Sequence, residues 1–215
     1  MIEKGGLEPV EQTVEKKDRF VLSDFLRTRF KGVFDPIAAF FNRLGLMPNT
    51  MTILGLVGNV VGGVLIAKGE MTWGGLLVLA MGPVDALDGA MARLRGQPTK
   101  FGGFVDSVTD RYSELIIFAG MLYYYQNLGE GLETLVVYAA AAGSVLVSYI
   151  RARGQSLGWD TKVGLLSRFE RYAVLTPSLI LNIPLAGAVI IAVFGNLTAV
   201  QRIMDVRRQA HQEIN

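Results

Sequence analysis

The chain has 215 residues, 51% of them hydrophobic, with a mean hydropathy of +0.37. That is too apolar for an ordinary water-soluble domain and points to a single integral-membrane domain. A net charge of +2 gives no ground for a nucleic-acid partner, and the lack of cysteine excludes disulfides and thiolate metal sites.

Residues 1–18 are polar, contain several Glu and Lys, and show no signal-peptide pattern. They read as a soluble tail, disordered or loosely attached. Residues 19–45 mix Phe and Leu with Arg27, Arg29, Lys31 and Arg43. Asp35-Pro36 breaks this run and is suited to start a helix, with Asp35 as cap and Pro36 in the first turn. Ile37, Phe40, Phe41 and Leu44 then share a face, which predicts an amphipathic juxtamembrane helix on the cytoplasmic membrane surface.

Pro48-Asn49-Thr50 opens a first span over about 49–67, whose Gly55, Gly58, Gly62 and Gly63 suit close helix packing. Lys68-Gly69-Glu70 turns the chain into a second span over about 72–94, and Gln97-Pro98-Thr99 ends it. A third span covers about 101–126, with Tyr123, Tyr124 and Tyr125 at its far end as an interfacial belt. A fourth covers about 131–153, followed by a loop over 154–164. The fifth, 168–182, and the sixth, 184–204, are joined by the tight turn Asn182-Ile183-Pro184. Residues 209–215 form a polar C-terminal tail, which leaves 46–208 as the membrane domain. The expected fold is all-α and multi-pass: six transmembrane helices preceded by the amphipathic helix.

With these spans, every Lys and Arg except Lys68 falls on one side. The positive-inside rule places that side, with both termini, in the cytoplasm.

Four carboxylates stand at the cytoplasmic ends of the second and third spans: Asp85, Asp88, Asp106 and Asp110. Ionisable groups at membrane depth are expensive and default to function with a partner. Four carboxylates close together cannot all stay ionised without a counter-charge, and a divalent metal, or a pair, is the natural one. Spacings of three and four residues put each pair on one helix face. Two helix ends facing each other gather the four into an oxygen-rich cluster. Mg²⁺ and Mn²⁺ take such ligands, and Mg²⁺ shares its shell with substrate phosphates. Two metals can stabilise both the attacking and the leaving oxygens of a phosphoryl displacement. Gly89 and Gly102 permit close approach of a helix or a nucleotide, and Arg93 can neutralise phosphate or pair with a carboxylate.

The full pattern is Asp85-x2-Asp88-Gly89-x2-Ala92-Arg93-x8-Gly102-x3-Asp106-x3-Asp110, eight fixed residues over twenty-six positions. It resembles the signature of the cytidine-diphosphate-alcohol (CDP-alcohol) phosphotransferase family at every fixed position. The resemblance implies transfer of a phosphatidyl group from a CDP-linked lipid, CDP-diacylglycerol, to an alcohol, with release of CMP. It implies that Asp85, Asp88 and Asp106 ligate metal, two Mg²⁺ or Mn²⁺ ions. Asp110 then shares a metal and acts as general base on the acceptor hydroxyl. Together with Asp85 and Asp88, it places Gly89, Ala92, Arg93 and Gly102 around the nucleotide and pyrophosphate. Asn49 and Thr52 border that site through a Pro-Asn-x-x-Thr element, which a helix N-cap explains nearly as well. The resemblance also implies a homodimer.

The acceptor is read outside this motif. Ser148-Tyr149-Ile150-Arg151-Ala152-Arg153, Arg168-Phe169-Glu170-Arg171 and Gln201-Arg202 resemble the phosphatidylinositol-phosphate synthase branch. In that branch basic residues at these places bind the phosphate of inositol phosphate, which makes Arg151, Arg153, Arg168, Arg171 and Arg202 acceptor ligands. Phe169 stands where the branch commonly has Pro, and Ser167 where it often has Glu. Positive-inside anchoring is the competing explanation for each arginine taken alone. A phosphatidylglycerophosphate synthase, taking glycerol 3-phosphate, fits the same basic pocket. A divalent-cation transporter is the reading from another class, but it requires carboxylates near the bilayer centre. Trp73 and Trp159 read as interface anchors, Asp160 and Lys162 as loop charges, and His211 as solvated. Glu114 reads as a partner of the site or of Arg111 or Arg93.

Overall fold

The computed structural model describes residues 22–96 and 99–214; the expected tail over 1–18, Gln97-Pro98 and Asn215 lie outside them. The chain divides into two units, Met1–Lys31 and Gly32–Asn215. Of the first, the described part is helical backbone over 22–31.

The described residues form seven helices and no strand: α1 (Leu22–Arg43), α2 (Pro48–Ala67), α3 (Met71–Leu94), α4 (Lys100–Leu128), α5 (Gly131–Ser156), α6 (Arg168–Ile180) and α7 (Pro184–Ile214). Local chemistry sets several boundaries. Pro48 and Pro184 each occupy a first helical position, where a missing N–H costs nothing. Thr99 caps α4, its Oγ1 accepting from the Gly102 amide at 2.9 Å. Gly129 ends the same helix in the left-handed conformation, φ 75°.

Four of these helices, α2, α3, α5 and α7, are long and apolar enough to cross a membrane. Their outward residues are themselves apolar: Ile53, Val57, Val60 and Val64 on α2, and Val189, Val193, Phe194 and Leu197 on α7, are all exposed. A helix apolar all round belongs in lipid, and the chain is a membrane protein. The third expected span, α4, is long but carries Asp106, Asp110, Arg111 and Glu114. The fifth, α6, has 13 residues, about 20 Å of helix.

Helix α2 packs along both α3 and α4, α6 packs on α3 and α7, and α5 packs on α4 and α7. The glycines expected to allow close packing do so. A Cβ on Gly63 would lie 2.9 Å from the Ile116 carbonyl oxygen, and one on Gly120 would lie 2.4 Å from that of Gly63. Side-chain-free contact of this kind replaces the hydrophobic driving force that lipid does not supply. The main core gathers residues of six helices, α2 to α7, around Ile66, Phe118, Met121 and Leu179. A smaller cluster of Ala38, Met51, Leu87, Ala90 and Met91 closes the other end of α2 and α3.

Two expectations are corrected. Pro36 lies inside α1, not at the start of a helix. Ala38 is fully buried against the smaller cluster, with Phe34 and Phe41 beside it. Burial of Ala38 together with the partial burial of Phe34 and Phe41 works against the roughly 3 kcal/mol an interior proline costs. Ile37, Phe40 and Leu44 stay exposed, so the expected face is split between two surfaces. Secondly, the residues expected as a polar tail continue α7 to Ile214. Asp205 accepts from Arg208 at 2.7 Å and from Gln209 at 3.0 Å, pairings that carry the helix beyond its apolar part.

Candidate active site

The site lies where α2, α3, α4 and α6 meet, between the two apolar clusters. Asp88, in the last turns of α3, is buried, and its Oδ2 accepts from Thr52 Oγ1 on α2 at 2.6 Å. Asp110, in the first turns of α4, is buried too. Its Oδ1 is 2.5 Å from Arg168 Nη2, at the start of α6, and the same nitrogen lies 3.4 Å from Asp85 Oδ2. One guanidinium thus joins two helices through their motif carboxylates. Asp110 Oδ2 is 3.7 Å from Arg111 Nη1. Asp85 is half-buried close against α2, since a Cβ on Gly55 would lie 2.5 Å from its Oδ1. Asp106 is half-buried as well.

The four carboxylates therefore do not stand as one ready cluster. Among the described residues no three acidic or histidine side chains form a preset metal-binding group. Arg168 engages Asp85 and Asp110, and Thr52 engages Asp88. The donor set nonetheless fits a hard divalent ion, being carboxylate oxygens on neighbouring helices with hydroxyl and amide groups beside them.

A cavity of ≈ 40 Å³ opens beside Asp85 and Asp110, also lined by Asn59, Glu114, Arg168 and Arg171. Glu114 pairs with Arg171. Arg171 Nε is 2.7 Å from Oε1 and Nη2 is 3.1 Å from Oε2, a two-point bond around a guanidinium only 1% exposed. Arg171 Nη1 also reaches the Leu166 carbonyl at 3.4 Å.

Of the five arginines expected at the acceptor phosphate, Arg168 and Arg171 line this cavity. Arg202 is buried and donates to the carbonyls of Val163 at 3.0 Å and Val147 at 2.7 Å, which fastens the loop before α6 and the second half of α5 to α7. Arg151 is half-buried, and Arg153 is exposed with Nη1 3.3 Å from Ser156 Oγ. Of the residues expected at the nucleotide, Asn49 is exposed at the start of α2, and Gly89 and Ala92 are half-buried on α3. Arg93 is exposed, and its Nη1 would lie 3.3 Å from a Cβ on Gly89. Gly102 is half-buried in the first turn of α4.

Sequence reasoning missed Asn59, Ser113 and Tyr172, all of which line the cavity. Asn59 is a buried polar residue inside an apolar span, and Ser113 follows Asp110 by three residues on the same face; both signals were present. Trp159, expected at the interface, is half-buried, with its Nε1 enclosed and unbonded. Trp73 is 66% exposed. Lys162 lies 3.7 Å from Asp160, and His211 is exposed, its Nδ1 3.0 Å from the Arg207 carbonyl.

The profile of the CDP-alcohol phosphatidyltransferases matches residues 45–201. The chain belongs to this family. It is 34% identical over 207 residues to the phosphatidylinositol phosphate synthase of Streptomyces avermitilis, covering 88% of this chain and 84% of that one. A crystal structure of the Mycobacterium tuberculosis phosphatidylinositol phosphate synthase with CDP-DAG bound is similar at a TM-score of 0.77 and 30% identity, covering 81% of this chain and 93% of that one. The same mycobacterial enzyme in complex with manganese and citrate gives a TM-score of 0.77 at 30% identity, over 80% of this chain and 88% of that one. The family motif thus sits in a fold shared with structures that hold the lipid nucleotide and a divalent metal.

Proposed function

We propose that the protein transfers a phosphatidyl group from CDP-diacylglycerol to inositol phosphate, giving phosphatidylinositol phosphate and CMP. The observation that carries this reading is the meeting of Asp85 and Asp110, from opposite ends of the motif, at one guanidinium beside a cavity that Glu114 and Arg171 also line. Asp85, Asp88, Asp106 and Asp110 hold two Mg²⁺ or Mn²⁺ ions. Those ions, when bound, supply charge neutralisation for the attacking and leaving oxygens.

The chain's own residues do the rest. Asn49, Thr52, Gly89, Ala92, Arg93 and Gly102 border the nucleotide, with Thr52 fixing the carboxylate of Asp88. Asp110 takes the proton of the acceptor hydroxyl as its oxygen bonds to the phosphatidyl phosphorus and the bond to CMP breaks. Arg168, half-exposed in the cavity, meets phosphate directly, and a guanidinium gives it paired, charge-assisted bonds. Arg151 and Arg153 extend the basic side, while Arg171 and Arg202 set its geometry through Glu114 and the loop carbonyls. All six expected spans cross the cell membrane, the site faces the cytoplasm, and α1 lies at the surface of that leaflet. Two copies associate as a homodimer.

A radiolabel assay with CDP-diacylglycerol and a panel of acceptors tests the reading. Inositol phosphate should be preferred over glycerol 3-phosphate and over free alcohols, and turnover should need Mg²⁺ or Mn²⁺. Preference for glycerol 3-phosphate would keep the basic pocket but replace the acceptor.

A further inference from the structure

Helix α3 carries a proline in its interior, Pro83, two residues ahead of Asp85. Proline has no N–H, so the carbonyl four residues earlier, that of Leu79, has no donor in its own helix. Inside a membrane such a carbonyl must be satisfied from elsewhere. Here the partner comes from α6. The Tyr172 hydroxyl lies 3.1 Å from the Leu79 carbonyl oxygen and 2.7 Å from that of Val78.

The steric fit agrees. A Cβ on Gly82 would lie 2.7 Å from the Tyr172 hydroxyl oxygen, so the glycine before the proline leaves the notch that admits the ring. Tyr172 stands one turn after Arg168, whose guanidinium reaches Asp85. The far end of α6 is tied to the same helix: Thr72 Oγ1 donates to the Ile180 carbonyl at 3.0 Å. The two helices are thus held in register from Thr72 to Asp85, with Tyr172 bonded at the break.

We propose that Tyr172 is a positioning residue for the metal-binding carboxylates. Its hydroxyl, placed between the Val78 and Leu79 carbonyls, bonds the turn that Pro83 breaks, and so sets the direction in which the end of α3 presents Asp85 and Asp88. This rests on the reading of those carboxylates as metal ligands. Without the hydroxyl, the turn broken by Pro83 loses its hydrogen bond to α6 and the end of α3 is free to tilt.

The test is a double-mutant cycle between Tyr172→Phe and Pro83→Ala, in the full-length protein in lipid nanodiscs. Mn²⁺ binding is followed by electron paramagnetic resonance of the free ion, with kcat and KM for CDP-diacylglycerol measured in parallel. Pro83→Ala returns an N–H to the Leu79 carbonyl. Tyr172→Phe alone should weaken Mn²⁺ binding about fivefold and lower kcat by a similar factor, with KM changing less. In the Pro83→Ala background the same substitution should cost less than about twofold. Equal penalties in both backgrounds, or none in either, overturn the proposal. Gly82→Ala gives an independent arm, since it crowds the hydroxyl from the α3 side; unchanged Mn²⁺ binding there also overturns it. A wild-type protein that turns over and binds Mn²⁺ without coupling refutes the role of Tyr172 alone. A wild-type protein that does neither removes the metal reading, and this proposal with it.

Discussion

Thr52→Val removes one hydroxyl and almost no volume. In the native protein that hydroxyl donates to Asp88 Oδ2 at 2.6 Å, with the two residues 5% and 8% exposed. The other acceptor in reach, the Pro48 carbonyl, is 3.4 Å away, so the single proton belongs to the carboxylate. A hydrogen bond to a charged group contributes roughly 1.5–3 kcal/mol, or about ten- to a hundredfold in a binding constant. Loss of a residue that orients a metal ligand typically costs the same, about 10- to 100-fold. Valine also leaves a buried carboxylate oxygen without its donor, which favours the upper part of that range. Mn²⁺ affinity, measured by calorimetry in one detergent, should therefore fall about 10- to 100-fold in Thr52→Val and far less in Thr52→Ser. Wild-type affinity in the valine variant, or equal losses in the two, would refute the idea that Thr52 orients Asp88.

Two further outcomes are expected. Asp85→Asn and Asp106→Asn should each lower turnover by on the order of a thousandfold while membrane insertion is kept, because the transition state loses several kcal/mol of charge stabilisation; near-normal activity at saturating Mg²⁺ would argue against a carboxylate metal site. Glu114→Gln should destabilise the fold by roughly 3–5 kcal/mol, because it strips the counter-charge from a buried guanidinium, whereas Glu114→Leu with Arg171→Met should recover most of that loss in thermal melts.

Sequence legibility differed by the kind of interaction. Helix ends were readable because they rest on local chemistry: Pro48 and Pro184 at first positions, and Asn182 at φ 57° in the turn before α7. The motif carboxylates were readable because charge in apolar sequence is costly. Pairings between distant segments were not. Glu114 reads in sequence as a partner of the site or of Arg111 or Arg93, and the side chain that holds it lies 57 residues on, on α6. Arg202 reads in sequence as an acceptor-phosphate ligand or a positive-inside anchor, yet backbone carbonyls of Val147 and Val163 hold it, and carbonyls carry no sequence signal. Pro36 misled for a related reason. The local rule marks a helix start, and the burial of Ala38 by residues far along the chain overrides it. The continuation of α7 to Ile214 was hidden because polar pairing, not apolarity, carries it.

The glycine seam of α2 also decides where this protein can vary. At position 58 an added methyl group meets Met81, a flexible side chain able to swing aside. At 63 and 120 it meets carbonyl oxygens of helical backbone, which cannot move without breaking their own ladder. One edge of α2, where Ile53, Val57 and Val64 face outward, can exchange one apolar residue for another at little cost. The opposite edge of α2 at Gly63, and Gly120 facing it on α4, leave no room even for alanine. Drift and engineering alike are channelled to the lipid-facing side of this helix.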